Sequence, residues 1–222
     1  MGNARKYFPL LATAGLLASG AAQATLFDRG GGLLYDDVLK VTWLQDANYA
    51  KTSGYDADGY MNWADANAWA ANLVYHDSVR GVDFDDWRLP TALNQDGSGP
   101  CVGDGCASSE LGHMFYNSMG AAAGSSILSG ANTANLALFK NLQSYAYWSG
   151  TAYAPYPAGA AWYFLTFNGL QSLSYQYVEM LAWAVRPGDV AAVPEPETVA
   201  LFLAGLAVIG RTVRRRRHFG PS

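Results

Sequence analysis

Asp83-Phe84-Asp85-Asp86-Trp87-Arg88-Leu89-Pro90-Thr91 is the stretch that decides the fold of this chain. The alternation of apolar and polar residues is broken, and Pro90 has no N–H group to donate, so the stretch predicts a turn rather than a regular strand. We expect Trp87 and Leu89 to be buried and Arg88 to bind carboxylate or carbonyl oxygens. The turn would then join a helix before it, a helix after it and an aromatic hairpin near the end of the domain.

Residues 1–24 have the order of regions found in a secretory signal peptide. Arg5 and Lys6 precede a mostly apolar run, and the small residues Ala22 and Ala24 flank Gln23 at its end. This pattern predicts export, with signal peptidase cutting the chain between Ala24 and Thr25.

Residues 25–188 are predicted to form one exported domain, long enough for a single hydrophobic core. They contain 15 acidic and 7 basic residues, a net charge of −8, whereas the whole chain has a charge of −4. Nucleic acids bind basic surfaces, so we do not expect this domain to bind them. The same charge argues against electrostatic capture of sulfated or other polyanionic glycans.

The two cysteines, Cys101 and Cys106, lie close together in sequence. In an oxidising compartment this spacing predicts a small disulfide loop, and His113 alone would not complete a zinc site. Asp56 and Asp58 resemble the start of a calcium loop, but the remaining ligands of that motif are missing. We therefore expect a solvated turn there, with no resident metal or cofactor, and the question of an incidental calcium contact stays open.

Two amphipathic helices are predicted. The first begins at Asn62, which has the side chain of an N-cap. Trp69 falls outside its apolar stripe, so it either widens the buried face or caps a neighbouring element. That stripe consists of Trp63, Ala66, Ala70, Leu73 and Val74. The second helix begins after Ser109 and ends near Gly120, and it places His113 on the exposed side.

Short strands are predicted on both sides of these helices. The first two are joined at Asp36-Asp37 or at Lys40, and Asn168-Gly169 is a strong signal for a hairpin between 162–167 and 173–178. Residues 180–187 would form the final strand. Exposed tyrosines on the hairpin could stack on sugar rings, but cross-strand aromatic pairs also stabilise sheets without a ligand, and we favour the structural role.

The C-terminal region divides into a linker at 189–197, an apolar segment with arginines at 198–217 and a short tail at 218–222. Thr198–Gly210 has no charged residue and as a helix would cover roughly 20 Å of a ~30 Å hydrocarbon core. A transmembrane helix is predicted if it continues through Thr212-Val213 and the arginines snorkel. The arginines would then stay cytoplasmic and leave the acidic domain outside.

This C-terminal region resembles the PEP-CTERM sorting signal. The matching residues are Val193, Pro194, Glu195, Pro196, Arg214, Arg215, Arg216 and Arg217, around the apolar segment. The resemblance implies an exosortase as partner, which would cut near the motif and release the protein or transfer it to the cell surface. Before processing, the protein would be anchored in the inner membrane and face the periplasm.

Residues 33–188 resemble the Lcl C-terminal domain family, formerly a domain of unknown function. The resemblance is carried by motifs that contain Trp43, Asp46, Trp63, Trp69, Asp86, Trp87, Arg88, Pro90, Trp148, Trp183 and Arg186. It implies an α+β fold related to C-type lectins and formylglycine-generating enzymes, with two helices packed on a mixed, mostly antiparallel sheet with long loops. We interpret the shared Trp and Arg positions as core and turn rather than as a binding site.

The leading hypothesis is a non-enzymatic surface or matrix protein, with no catalytic residue, that binds exopolysaccharide through loops 94–109 and 121–138. The chain lacks the calcium pattern of sugar-binding C-type lectins and the catalytic cysteine pair of formylglycine-generating enzymes. Two alternatives stay open. One is an envelope hydrolase that uses Asp83, Asp85 and Asp86 as paired acids. The other is a structural module that self-associates through its aromatic hairpin.

Overall fold

The structure is a computed structural model that describes residues 26–190, and these residues form an α+β domain with mixed sheets and few helices. The strands are β1 (Leu26–Asp28), β2 (Leu33–Asp36), β3 (Val41–Leu44), β4 (Tyr60–Met61), β5 (Tyr75–Asp77), β6 (Val82–Phe84), β7 (Ala146–Ala152), β8 (Ala160–Leu165), β9 (Gln171–Tyr175), β10 (Met180–Leu181) and β11 (Val185–Pro187). The helices are α1 (Tyr49–Thr52), α2 (Trp63–Ala71), α3 (Glu110–His113) and α4 (Thr133–Leu136), with a π-helical turn at Met114–Ser118 and a 3-10 turn at Ile127–Ser129. The predicted signal peptide and sorting segment lie outside the described residues.

The first sheet contains the two ends of the described chain. Its strand order is β1-β2-β3-β11, and all three pairings are antiparallel. The predicted junction between the first two strands is confirmed, because β2 and β3 are joined by a tight turn that ends at Lys40, whose φ is 57°. A backbone bridge between Arg88 and Val185 places the turn at residues 83–91, which we name the central turn, along the outer side of β11.

The second sheet has the order β4-β10-β7-β8-β9 and is mixed, since β10 runs parallel to β7. The predicted hairpin is confirmed as β8 and β9, with Asn168-Gly169 inside a connection at residues 166–170. The prediction of one final strand over 180–187 is wrong. The chain crosses between β10 of the second sheet and β11 of the first. Trp183 lies in this crossing, fully buried, and its indole N–H donates to the Leu44 carbonyl.

Helix α2 begins as predicted, with the Asn62 side chain accepting from the backbone N–H of Asp65. Trp69, outside the predicted stripe, is buried as well and widens the buried face, whereas the prediction that Val74 shares this face is wrong because Val74 is exposed. The helix ends at Ala71, so Val74 lies beyond it and does not share its face.

The prediction of an exposed His113 is wrong. Ser109 caps α3 as expected, but every residue of this short helix is buried. Met114 and Phe115 of the π-helical turn after it belong to the same apolar cluster as Trp43 of the first sheet and Phe164 of the second. The His113 side chain faces the buried Asp36 carboxylate of β2, so this side of the helix is covered.

Residues 121–138, predicted as an irregular connection, contain the 3-10 turn and α4, with Ile127 fully buried. None of the helices within residues 26–190 is both long enough and apolar enough to cross a membrane. The predicted transmembrane helix falls outside this range.

Candidate functional site

The central turn is fixed by long-range contacts. Trp87 and Leu89 are buried, as the sequence predicts, and the Trp87 indole donates to the Phe84 carbonyl at 2.9 Å. The Arg88 guanidinium donates to both carboxylate oxygens of Glu110, at 2.7 and 2.6 Å. The guanidinium therefore binds an acid on α3 and not the acids beside it in sequence.

The acids of the hydrolase hypothesis bind separate partners. Asp86 accepts two bonds from Arg186, at 2.6 and 3.0 Å, and Asp83 lies 2.6 Å from the Nδ1 atom of His76. The Arg186 guanidinium also lies over the Phe84 ring, 4.2 Å from its centroid. These contacts fit a turn stabilised by ion pairs.

Most of the tryptophans in the sequence motifs that carry the resemblance to the Lcl C-terminal domain lie in the core. Trp43 and Trp183 are in contact, with ring centroids 4.8 Å apart, and Trp148 donates to the Met61 carbonyl. Trp63 is half-buried and donates its indole N–H to the Ser149 carbonyl. Asp46 accepts from the Thr52 hydroxyl and from the side chain of Asn141. These side chains join elements of the fold.

Cys101 and Cys106 form the predicted disulfide. Inside its loop, Gly103 exchanges two backbone hydrogen bonds with Gln171, the first residue of β9. The Gln171 side chain also donates to the Cys101 carbonyl at 2.7 Å. The disulfide loop therefore covers part of the outer edge of the second sheet.

The two loops predicted to bind glycan differ in what they form. Loop 94–109 lines a cleft of about 380 Å³ together with Val38, Leu39 and Glu110. Loop 121–138 instead packs along the β8–β9 connection, where Ile127 donates its N–H to the Thr166 carbonyl.

A cleft of larger volume than the one at loop 94–109 lies at the other end of the hairpin, and we name it the tyrosine cleft. It has a volume of about 650 Å³ and is lined by Asn62, Tyr156, Ala158, Gly159, Tyr175, Gln176 and Tyr177. The three tyrosines are 55%, 58% and 75% exposed, in sequence order. A second hollow, of about 390 Å³, shares Tyr156 and Tyr175 with it. Three aromatic side chains are thus presented to solvent on one surface.

Gln176 ties together the three segments that form this cleft. Its backbone N–H donates to Gly159, and its side chain donates to the Pro157 and Ala160 carbonyls at 2.9 and 3.2 Å. Its carbonyl accepts from the backbone N–H of Trp63, the first residue of α2. The β7–β8 loop, the end of β9 and the start of α2 are therefore held in one arrangement.

The tyrosines are placed by local backbone features. Tyr175 and Tyr177 are stacked, with centroids 5.5 Å apart and an interplanar angle of 8°. The Tyr156 ring lies directly over Gly159, where a Cβ atom would come within 1.9 Å of it. Glycine at that position allows the ring to lie against the backbone.

The sequence indicates part of this cleft. Its pattern places exposed tyrosines on the hairpin that could stack on sugars, although it favours a structural role for them. The sequence signal for Tyr156 is weaker and consists of Pro155 and Pro157, which mark an exposed loop on either side of it.

The Asp56 turn is held by its own hydrogen bonds. The Asp56 carboxylate accepts from the backbone N–H groups of Asp58 and Gly59, at 3.0 and 2.7 Å. Burial works against its charge, but these bonds outweigh burial and keep the pKa of Asp56 below its usual value. Within residues 26–190 there is no group of three or more His, Cys, Asp or Glu side chains that could hold a metal ion.

Asp36 and His113 form a buried pair. The Nε2 atom of His113 is 3.7 Å from the Asp36 carboxylate, and neither of the facing atoms has another hydrogen-bond partner. Burial raises the pKa of Asp36 and lowers the pKa of His113, although each charge would favour the other. The pair lies in the interior, away from the tyrosine cleft.

One comparison with known proteins gives a match. Residues 192–217 match the model of the PEP-CTERM protein-sorting motif. No curated protein and no solved structure matches the chain. The motif implies an exported protein that an exosortase recognises and sorts, with a membrane-anchored or surface location.

Proposed function

We propose that this protein is a non-enzymatic, carbohydrate-binding protein of the cell surface or extracellular matrix, and that the tyrosine cleft binds exopolysaccharide. The observation that carries the proposal is the set of three exposed tyrosines, Tyr156, Tyr175 and Tyr177, on one surface of an exported domain. Tyrosine rings combine an apolar face with a polar hydroxyl, which suits the apolar and hydroxyl-bearing faces of a sugar ring.

The polar groups of the cleft can add to this function. The Gln176 side chain donates its two N–H groups to the Pro157 and Ala160 carbonyls, so it offers a sugar hydroxyl its Oε1 atom as an acceptor. Asn62 donates one side-chain N–H to Asp65, which leaves its second N–H to donate to a sugar. The resemblance to the Lcl C-terminal domain family and its C-type-lectin-like fold agrees with carbohydrate binding. On this proposal the binding surface is the tyrosine cleft rather than the loops at 94–109 and 121–138.

The location follows from the two ends of the chain. We propose that signal peptidase removes residues 1–24, that the apolar segment holds the protein in the inner membrane, and that the exosortase then releases or transfers it. The acidic domain would meet polysaccharide outside the inner membrane.

Binding of the cell's own exopolysaccharide by the purified full-length protein in detergent tests the proposal. We expect Tyr175→Ala and Tyr177→Ala each to weaken binding at least several-fold, because stacking on an aromatic ring is lost. Phe167→Ala is the matched control, since Phe167 is an exposed aromatic in the connection at the opposite end of the hairpin.

Equal binding by the wild-type protein and both tyrosine variants would refute the cleft as the site. Breakdown of the polysaccharide by the wild-type protein would refute the non-enzymatic part.

A further inference from the structure

We infer that the tyrosine cleft selects glycans by charge and prefers polymers of protonated amino sugars to their N-acetylated forms, while excluding acidic polysaccharides. This inference rests on the proposed function and names the substrate class of the same cleft. It follows from where the charges of the described domain lie.

The arginines of the described residues are all engaged by carboxylates. Arginine is the usual side chain for binding carboxylate or sulfate groups, through paired N–H donors. The four ion pairs are Arg29–Asp189, Arg80–Asp77, Arg88–Glu110 and Arg186–Asp86. The charge of each guanidinium group is therefore compensated by a protein carboxylate, so an acidic sugar would gain little from binding there.

The cleft itself has no basic side chain among its lining residues. The remaining cations of the described residues are Lys40, Lys51 and Lys140, and none of them lines the cleft. A uronic acid or sulfated sugar would therefore bring its negative charge to a domain of net charge −8 without a compensating partner.

A carboxylate lies next to one lining residue of the cleft, Asn62. The side-chain N–H of Asn62 donates to the exposed Asp65 carboxylate at 2.6 Å, although Asp65 is not itself a lining residue. An ammonium group on a bound sugar would be attracted to this carboxylate at a distance, and its N–H donors can bond to the phenol oxygens of the lining.

The tyrosine faces add a second attraction for cations. A ring face carries partial negative charge, so an ammonium group within about 6 Å of its centroid is stabilised. The stacked rings of Tyr175 and Tyr177 offer such a face beside the place where a sugar would lie. An N-acetyl group removes the positive charge and with it both attractions, but leaves ring stacking unchanged.

The test compares three oligosaccharides of equal length: a chitosan hexamer, the N-acetylated chitin hexamer and an oligogalacturonate hexamer. Binding to the full-length protein in detergent is measured by titration calorimetry below the pH at which the amine loses its proton. We expect the chitosan hexamer to bind about 2- to 5-fold more tightly than the chitin hexamer at low salt. We expect the gap to shrink at high salt and the galacturonate hexamer not to bind.

Asp65→Asn is expected to reduce the preference for chitosan and to leave chitin binding unchanged. Asp104→Asn is the charge-matched control, since Asp104 is an exposed acid in the disulfide loop. Chitin binding equal to or tighter than chitosan binding, or any tight galacturonate binding, would overturn the charge selectivity while the proposed function stands. Binding of none of the three hexamers, with the cell's own polysaccharide still bound, would also overturn it. Failure to bind that polysaccharide too would count against the proposed function.

Discussion

Arg88 and Glu110 bind each other through two parallel N–H···O bonds, although 22 residues separate them in the chain. Glu110 also accepts the backbone N–H of Thr91 at 2.7 Å. One carboxylate therefore binds both the side chain of Arg88 and the backbone three residues further along. The hydrogen bonds to Glu110 are the main reason that the pKa of Arg88 is raised. The pair holds the start of α3 against the central turn.

Arg88→Ala is expected to destabilise the domain, because it leaves the Glu110 side chain, only 10% exposed, without its charged partner. Since the guanidinium is itself partly exposed, we expect a loss of about 2–3 kcal/mol in the free energy of unfolding. Urea denaturation measures it. Arg88→Ala combined with Glu110→Gln should cost less than the two single changes together, and an additive result would contradict this coupling.

Trp87→Ala and Tyr175→Ala should differ sharply in their effect on stability. Removal of the buried Trp87 ring leaves a cavity beside Tyr75 and should cost about 3–5 kcal/mol. Tyr175 is exposed, so its removal should change the free energy of unfolding by less than about 0.5 kcal/mol. Thermal melts of both variants check this, and similar midpoints would show that the turn does not organise the core.

Loss of the disulfide is expected to destabilise the protein and to expose a sheet edge. Replacement of both Cys101 and Cys106 by serine frees a small loop in the unfolded state, at a cost of about 2 kcal/mol. Detachment of Gly103 from Gln171 would leave the outer edge of β9 unpaired, so we also expect more association between copies. Denaturation and light scattering measure the two effects, and a variant as stable and monodisperse as the wild type would refute both.

Stability is expected to fall as the pH drops below about 6.5, because of His113. Burial lowers the pKa of His113, so the unfolded state binds a proton before the folded state does. Burial raises the pKa of Asp36, so the folded state takes up this proton at a higher pH than the unfolded state and the effect of Asp36 opposes that of His113 as the pH falls through the raised value. Unfolding followed from pH 7 downward measures the slope.

His113→Leu should flatten that slope near pH 6, because the group that titrates is gone. His76→Gln is the control, since His76 is exposed and pairs with Asp83 on the surface. A slope that is the same in His113→Leu and in the wild type would assign the pH dependence to other groups.

Gly159→Ala is expected to weaken polysaccharide binding without unfolding the domain. The new Cβ would meet the outer atoms of the Tyr156 ring, which can swing away because they end a flexible side chain. The phenol would then leave its place in the tyrosine cleft, and we expect a several-fold loss of affinity. Tyr156→Ala should lower affinity by a similar amount, and a Gly159→Ala protein that binds as well as the wild type would show that the ring position does not matter.

Local features of this fold could be predicted from the sequence. The N-cap at Asn62, the turn at Asn168-Gly169 and the disulfide of Cys101 with Cys106 depend on residues close together in the chain. The first results from side-chain capping, the second from the backbone conformations that Asn and Gly favour, and the third from closure of a short loop.

Features that depend on distant partners could not be predicted. The turn indicated that Arg88 needs an acceptor, but Glu110 was not identifiable from spacing. Helical periodicity predicts an exposed His113 because it does not show that Asp36, far away in the chain, lies against this side of α3. The tyrosine cleft likewise depends on the β7–β8 loop bringing Tyr156 to the same surface as Tyr175 at the end of β9.

The first sheet also determines how the domain is attached to the rest of the chain. Leu26 pairs with Asp36, Asp36 with Val41, and Val41 with Pro187, so the described chain enters and leaves at one end of this sheet. Three strand spacings, about 14 Å, separate the entry from the exit. Both ends of the described domain therefore lie on the same side of it, so a cut in the chain before Leu26 or after Val190 would remove no strand from the fold.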